Sequence, residues 1–198
     1  MTLTNGEAKK EIAEIILGMG SDDRTVPSPK DAFKLAALYP SIMITSNVIL
    51  WSVFYVIMMS KGDNTGQSFS FYFKAAELVM GYGGWISIGI TVFIGLIFVL
   101  INFSTALAYF SIPVDIRNRS KIVVSIKTSI KKVAITLWML AVVLSIVGLL
   151  VDSTYLFIGS IPLFLFLSVF VINGYLGIQS ARYGLGPMMA TANKLLSR

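Results

Sequence analysis

The sequence contains no cysteine and no histidine among its 198 residues. The absence of cysteine excludes disulfides, thiol chemistry and the usual structural zinc sites. The absence of histidine removes the most common general base. We find no phosphate-binding glycine loop, no nucleophile elbow and no nucleophile placed beside a base. The sequence therefore predicts a protein that is not an enzyme, with no catalytic residue, no cofactor and no metal site.

Charged residues are also missing from four long apolar runs. The runs cover residues 39–59, 84–110, 133–151 and 154–176 and contain no Asp, Glu, Lys or Arg. Each run is about as long as the ~20 residues that a helix needs to cross ~30 Å of hydrocarbon. The mean hydropathy of +0.79 is far above that of a soluble domain. The pattern predicts an all-α polytopic membrane protein with four transmembrane helices.

The 16 Lys and Arg are distributed unevenly over the segments that flank these runs. Five precede the first run, two follow it, six follow the second, none follows the third and three follow the fourth. Four spans place the first, third and fifth segments on one side of the membrane. Because short cytoplasmic loops collect Lys and Arg, both ends of the chain are predicted to be cytoplasmic. The formal charge of +6 indicates membrane lipids rather than nucleic acid as the counter-charge.

Residues 1–38 are predicted to form a cytoplasmic amphipathic arm. A first helix follows the N-cap Asn5, and its apolar face comprises Ala8, Ile12, Ile15, Ile16 and Met19. We favour packing of this face on the protein itself over binding to a membrane surface or to a partner. A second helix begins at Pro29 after the cap Ser28 and leads to Pro40, where the chain bends into the first span.

The segment 60–83 is the only sizeable one on the opposite side of the membrane. Four aromatic residues lie within five positions there: Phe69, Phe71, Tyr72 and Phe73. Exposure of so many aromatic side chains to water is unfavourable. The cluster is therefore expected to lie in the outer headgroup layer or to contact a partner. These four residues are the candidate partner contact.

Small residues recur every fourth position at the start of the second span: Gly83, Ser87, Thr91 and Gly95. This spacing allows a second helix to approach closely. The stripe therefore indicates helix packing, either within the four-helix bundle or between two copies in a homo-oligomer.

The cytoplasmic loop 111–132 carries six basic residues: Arg117, Arg119, Lys121, Lys127, Lys131 and Lys132. Apolar residues at helical spacing predict that its second half is a basic amphipathic helix leading into the third span. These six residues are the candidate contacts for anionic lipid. The third and fourth spans form a tight hairpin around Asp152 and Ser153, and residues 177–198 form a cytoplasmic tail.

The polar residues inside the spans are uncharged and scattered. Pumps, voltage sensors and proton-coupled transporters keep ionisable groups within the membrane, so these classes are disfavoured. Asn47, Asn102 and Asn173 are expected to seek hydrogen bonds between helices. A pore lining is the alternative, although the groups form no clear ring.

The layout resembles that of the TraS family, the entry-exclusion proteins of F-type conjugative plasmids. The resemblance lies in a charged arm with Ser28-Pro29 before the first span, uncharged spans and a basic inner loop. It implies a bacterial inner-membrane protein that stops a plasmid-bearing cell from receiving the same plasmid again. The implied partner is a donor TraG-like mating-pair protein, contacted through residues 61–83 or from the cytoplasmic side. An accessory or assembly subunit of a larger membrane complex and a small holin-like channel are the alternatives.

Overall fold

The computed structural model of the chain describes residues 4–20, 27–62, 84–151 and 153–183. Over these residues it is almost entirely helical and contains no strand. The helices are α1 (Asn5–Met19), α2 (Pro29–Gly62), α3 (Gly84–Phe110), α4 (Val114–Arg119), α5 (Lys121–Leu150) and α6 (Thr154–Tyr183).

Four of these helices, α2, α3, α5 and α6, are long and apolar enough to cross a membrane. Their outward faces carry large apolar side chains, with Phe93 64% and Leu100 76% exposed. Hydrocarbon accommodates such faces, whereas water does not. The predicted four-helix, multi-pass membrane protein is confirmed.

Three helices are longer than the apolar runs that predict them. α6 continues past its run of 154–176 to Tyr183. α2 continues through Pro40 as one helix, so the predicted surface helix and first span are joined. α5 joins the predicted basic helix to the third span. Its 30 residues reach about 45 Å, which exceeds the ~30 Å of the hydrocarbon. A change from polar to apolar sequence marks the membrane boundary, but backbone hydrogen bonding continues across it.

The chain divides into two compact units, and each of the four long helices contributes one part to each unit. The first unit contains the described parts of residues 1–37, 99–134 and 169–198. In one of its clusters, Ala32 and Ala36 of α2 pack with Val99 and Ala106 of α3. The alanines allow the two helix backbones to approach closely.

The second unit contains the described parts of residues 38–98 and 135–168. An aromatic cluster lies in its core, formed by Trp51 and Phe54 of α2 with Phe157 of α6. The Phe157 ring centre lies 4.9 Å from each of the other two. These are ordinary distances for favourable aromatic packing.

The α5–α6 connection is the tight hairpin that the sequence predicts. The N–H of Ser153 donates to the carbonyl of Gly148 at 2.8 Å, which closes the turn. A Cβ added to Gly148 would lie 2.6 Å from the backbone nitrogen of Phe157. It would also lie 2.8 Å from the Cβ of Leu156. Only glycine therefore permits this approach of the two helices.

We expect Gly148→Ala to lower the stability of the protein by about 1 to 3 kcal/mol, because rigid backbone must move to admit the methyl group. Thermal unfolding in a neutral detergent measures the effect. Gly89→Ala and Gly159→Ala are matched controls, because nothing lies within 4 Å of a Cβ at either position. Equal melting temperatures for all three variants would contradict the proposed close approach.

Candidate functional site

The N-terminus of α1 is closed by a capping box. The N-cap is Thr4, not Asn5, which is the first residue of the helix. The Thr4 hydroxyl accepts from the N–H of Glu7 at 3.3 Å, and the Glu7 carboxylate accepts from the N–H of Thr4 at 2.9 Å. The backbone bond from Thr4 lowers the pKa of Glu7 below its ordinary 4.5. The Thr-x-x-Glu spacing decides the cap, and this signal was present in the sequence.

The apolar face of α1 packs on the protein itself. Four of its five predicted residues are buried, and Ile16 is partly buried beside them. They contact the end of α3, the turn that follows it and the first turn of α5, through Ala108, Ile112, Ile122 and Val123. The favoured interpretation of this helix is confirmed.

Glu11 completes the cap of α5, more than a hundred residues away in the sequence. Its carboxylate accepts from the Ser120 hydroxyl at 2.9 Å and from the N–H of Ile122 at 3.1 Å. The Ser120 oxygen in turn accepts from the N–H of Val123 at 3.3 Å. Two N–H groups that have no partner within the helix are thus satisfied, and a negative charge lies at the positive end of the helix dipole.

Two further contacts hold α1 along α4. Glu14 forms an ion pair with Arg119, in which both side chains are at least half exposed. At Gly18, a Cβ would collide with Ile116 and would lie 3.3 Å from Pro113, so α1 lies directly against this turn. We call Glu11, Glu14, Arg119, Ser120 and Ile122 the α1 docking site. The sequence analysis missed this role of the glutamates, although their recurrence on one helix of a chain with a basic loop was a signal.

The six predicted lipid contacts do not form one uniform surface. Arg119 pairs with Glu14, and the Arg117 guanidinium lies 4.8 Å from the ring centre of Tyr109 and 5.0 Å from that of Phe110. Lys127 is exposed, with its Nζ 6.0 Å from the Tyr109 ring centre. The remaining three are exposed: Lys121, Lys131 and Lys132. Lipid contact at these residues stays a prediction.

A buried polar cluster joins three helices of the second unit. The Asn47 amide nitrogen donates to the Ser87 hydroxyl at 3.2 Å and to the Thr91 hydroxyl at 2.9 Å. Ser87 donates to the carbonyl of Ile158 at 2.8 Å. This carbonyl would normally accept from residue 162, but Pro162 has no N–H. Ser87 therefore satisfies the backbone group that the proline leaves unpaired.

The predicted small-residue stripe packs within the chain wherever the structure describes it. Ser87 and Thr91 belong to the buried polar cluster. A Cβ at Gly95 would lie 3.3 Å from the Cβ of Pro40 and 3.4 Å from Ile44, so α2 passes close to α3 there. Gly83 lies outside the described residues, as do the aromatic residues Phe69, Phe71, Tyr72 and Phe73.

Other polar groups of the second unit are also bonded inside the chain. The Tyr39 and Ser168 hydroxyls are 2.7 Å apart. The Trp138 indole N–H donates to the Ser46 hydroxyl at 2.9 Å. Ser145 is fully buried and donates to the carbonyl of Ala141 at 3.0 Å. This arrangement stabilises helix packing, as expected for hydroxyl groups in a bilayer.

Comparisons of the chain with protein-family models, with curated proteins and with solved structures find no match. The α1 docking site and the buried polar cluster are therefore the features of this protein that bear on its function.

We expect Glu11→Ala to release α1 from its docking site, because it removes a charged acceptor from a backbone N–H and from a hydroxyl, at a cost of about 1 to 3 kcal/mol. Amide hydrogen exchange over residues 5–19 measures the release. Glu14→Ala is the matched control on the same helix, since an exposed ion pair contributes only about 0 to 1 kcal/mol. A larger effect at Glu14 than at Glu11 would contradict this assignment.

We expect Ser87→Ala to destabilise the protein by about 1 to 3 kcal/mol, because it leaves the Ile158 carbonyl buried without a donor. In a Pro162→Ala background the cost should shrink, because residue 162 then donates to that carbonyl itself. A double-mutant cycle on thermal unfolding isolates this coupling from the cavity that replacement of Pro162 creates. Additive effects would show that Ser87 acts independently of Pro162. Ser52→Ala is the control, since Ser52 is exposed and bonds only to its own helix at Val48.

Proposed function

We propose that the protein is a non-enzymatic recognition protein of the bacterial inner membrane that acts in conjugative exclusion. Its partner in this proposal is a donor mating-pair protein of the TraG type. The observation that carries the proposal is the α1 docking site, which attaches a helical arm to a multi-pass membrane protein. The resemblance in layout to the TraS family supplies the biological setting.

Recognition of a partner requires a surface whose side chains hold fixed positions. The outer face of the docked helix α1 is such a surface. The inner face of α1 is buried, and the Glu11 bonds set its position against α5. The outer face consequently presents Lys9, Lys10 and Ala13 in a defined arrangement, with Leu17 75% exposed. A helix that served only as a membrane anchor would need neither the glutamate contacts nor a fixed outer face.

The buried polar cluster favours a binding role over a channel. A water-filled pore needs polar groups that face a shared lumen. The Asn47, Ser87 and Thr91 side chains instead bond to one another and to backbone carbonyls. Their role in helix packing accounts for polar residues inside the spans without a conduction path.

We further propose that both ends of the chain are cytoplasmic. The positive-inside rule supports this orientation, because the arm, the loop 111–132 and the tail together hold most of the basic residues. The α1 outer face would then meet its partner in the cytoplasm of the recipient. Residues 61–83 would be the contact if the partner is met on the other side.

A mating assay tests the proposal. Recipients expressing the chain are challenged with donors that carry F-like plasmids of several exclusion groups. We expect transfer to fall for one group only, because recognition of a partner protein depends on its surface. Unchanged transfer from every group would refute the exclusion function.

Substitutions then locate the contact. Leu17→Lys changes the outer face of α1 without touching its buried face, and it should abolish exclusion if the partner binds there. Phe71→Ser, in residues 60–83, should abolish exclusion if the partner binds on the opposite side. Protein levels in the membrane, measured by immunoblotting, provide the control. Full exclusion by both variants would contradict both assignments.

An accessory subunit of a larger membrane complex is the second candidate. The exposed Leu17 favours it equally, because a stable complex would cover that side chain. Co-purification of a defined partner from the native host, together with unchanged mating in the assay above, would establish this function instead.

A further inference from the structure

The acidic side chains of the first unit are almost all engaged inside the protein. Glu11 accepts from the first turn of α5, and Glu14 pairs with Arg119. Glu7 caps α1, and Asp31 lies 3.9 Å from Lys34. In the part of this unit that the structure describes, Asp115 is the one acidic residue without such a contact. Among the described residues of this unit, few carboxylates therefore remain for the other basic side chains.

Two of these basic residues converge on one aromatic ring. The Arg117 guanidinium and the Lys127 ammonium both lie within 6.0 Å of the ring centre of Tyr109. Neither forms an ion pair with an acidic residue in the described part of the chain. The ring quadrupole attracts each cation, but the two cations repel each other. An anion bound beside the ring would offset this repulsion.

The position of the ring in the fold indicates which anion is available. Tyr109 and Phe110 end α3, an apolar helix of 27 residues that crosses the membrane. Aromatic residues at the end of a span lie at the level of the lipid headgroups. α4 begins close by, and its first residue, Val114, is 57% exposed. The two cations therefore lie where phosphate groups and the start of the acyl chains meet.

We propose that Tyr109, Arg117 and Lys127 form a binding site for the phosphodiester headgroup of an anionic phospholipid. The planar guanidinium of Arg117 can donate two parallel hydrogen bonds to the phosphate oxygens. Lys127 supplies a second positive charge, and Tyr109 holds both cations in place because its ring packs against the core of the first unit. Val114 provides an apolar surface for an acyl chain.

This site differs from general attraction between a basic protein and a charged membrane. Lys131 and Lys132 are exposed side chains, which a charged membrane would attract as independent charges. At Tyr109 two cations are held against one ring, so the proposal predicts a defined number of bound lipids for each protein. The proposal is independent of the partner protein discussed above, because it requires only that the protein spans a membrane.

Lipid retention by the purified full-length protein tests the site. The protein in neutral detergent is incubated with phosphatidylglycerol and phosphatidylcholine, washed, and analysed for bound lipid by mass spectrometry. The wild type should retain phosphatidylglycerol selectively. The double variant R117Q/K127Q should lose this selectivity, whereas K9Q/K10Q, with the same change of charge, should keep it. Lys9 and Lys10 are exposed residues of α1 and serve as the matched control.

Three results would overturn the proposal. Equal loss in both double variants would show that net charge alone attracts the lipid. Unchanged retention by R117Q/K127Q would place the lipid elsewhere. Displacement of phosphatidylglycerol by an equal concentration of inorganic phosphate would identify a site for soluble anions.

If R117Q/K127Q fails to fold, judged by thermal unfolding in phosphatidylcholine, the variant R117K replaces it. R117K keeps the positive charge but loses the planar guanidinium. It should then retain less phosphatidylglycerol than the wild type.

Discussion

Backbone N–H and C=O groups inside hydrocarbon must be paired within the protein, and this requirement organises the contacts between the helices. A carbonyl without a donor costs several kcal/mol in a bilayer, because no water can replace the missing partner. Pro162 creates such a carbonyl at Ile158, near the start of α6, and Ser87 of α3 satisfies it. Asn47 then donates to Ser87 from α2. One proline thus accounts for a polar connection among three helices.

The same requirement explains how the arm is attached. The first N–H groups of α5 have no carbonyl to bond within their own helix. Ser120 satisfies one of them, and Glu11 of α1 satisfies another. The buried apolar face of α1 supplies much of the docking energy, since burial of each aliphatic side chain contributes about 1.5 to 3 kcal/mol. The Glu11 bonds determine where along α5 the arm rests, and they fix the outer surface on which the proposed recognition depends.

Electrostatics links these structural contacts to the membrane. The two glutamates that dock α1 bond to the first turn of α5 and to Arg119, so neither pairs with Arg117 or Lys127. Arg117 and Lys127 are therefore held by the ring of Tyr109 rather than by a carboxylate. In the proposed lipid site, this charge would lie beside the anionic headgroups, because the ring ends a helix long enough to span a membrane. Docking of the arm and binding of lipid are in this view consequences of one distribution of charge.

The four membrane helices and the buried face of α1 could be predicted from the sequence alone, because length, hydropathy and helical periodicity are local properties of the chain. The Thr4 and Glu7 spacing of the capping box is also local, although the predicted N-cap, Asn5, is one residue too late. The partners of Glu11 lie 109 and 111 residues away, and only the folded chain brings them together. The pairing of Ser87 with Ile158 likewise depends on the relative register of α3 and α6. Register follows from the packing of whole helices, so no local pattern of residues encodes it.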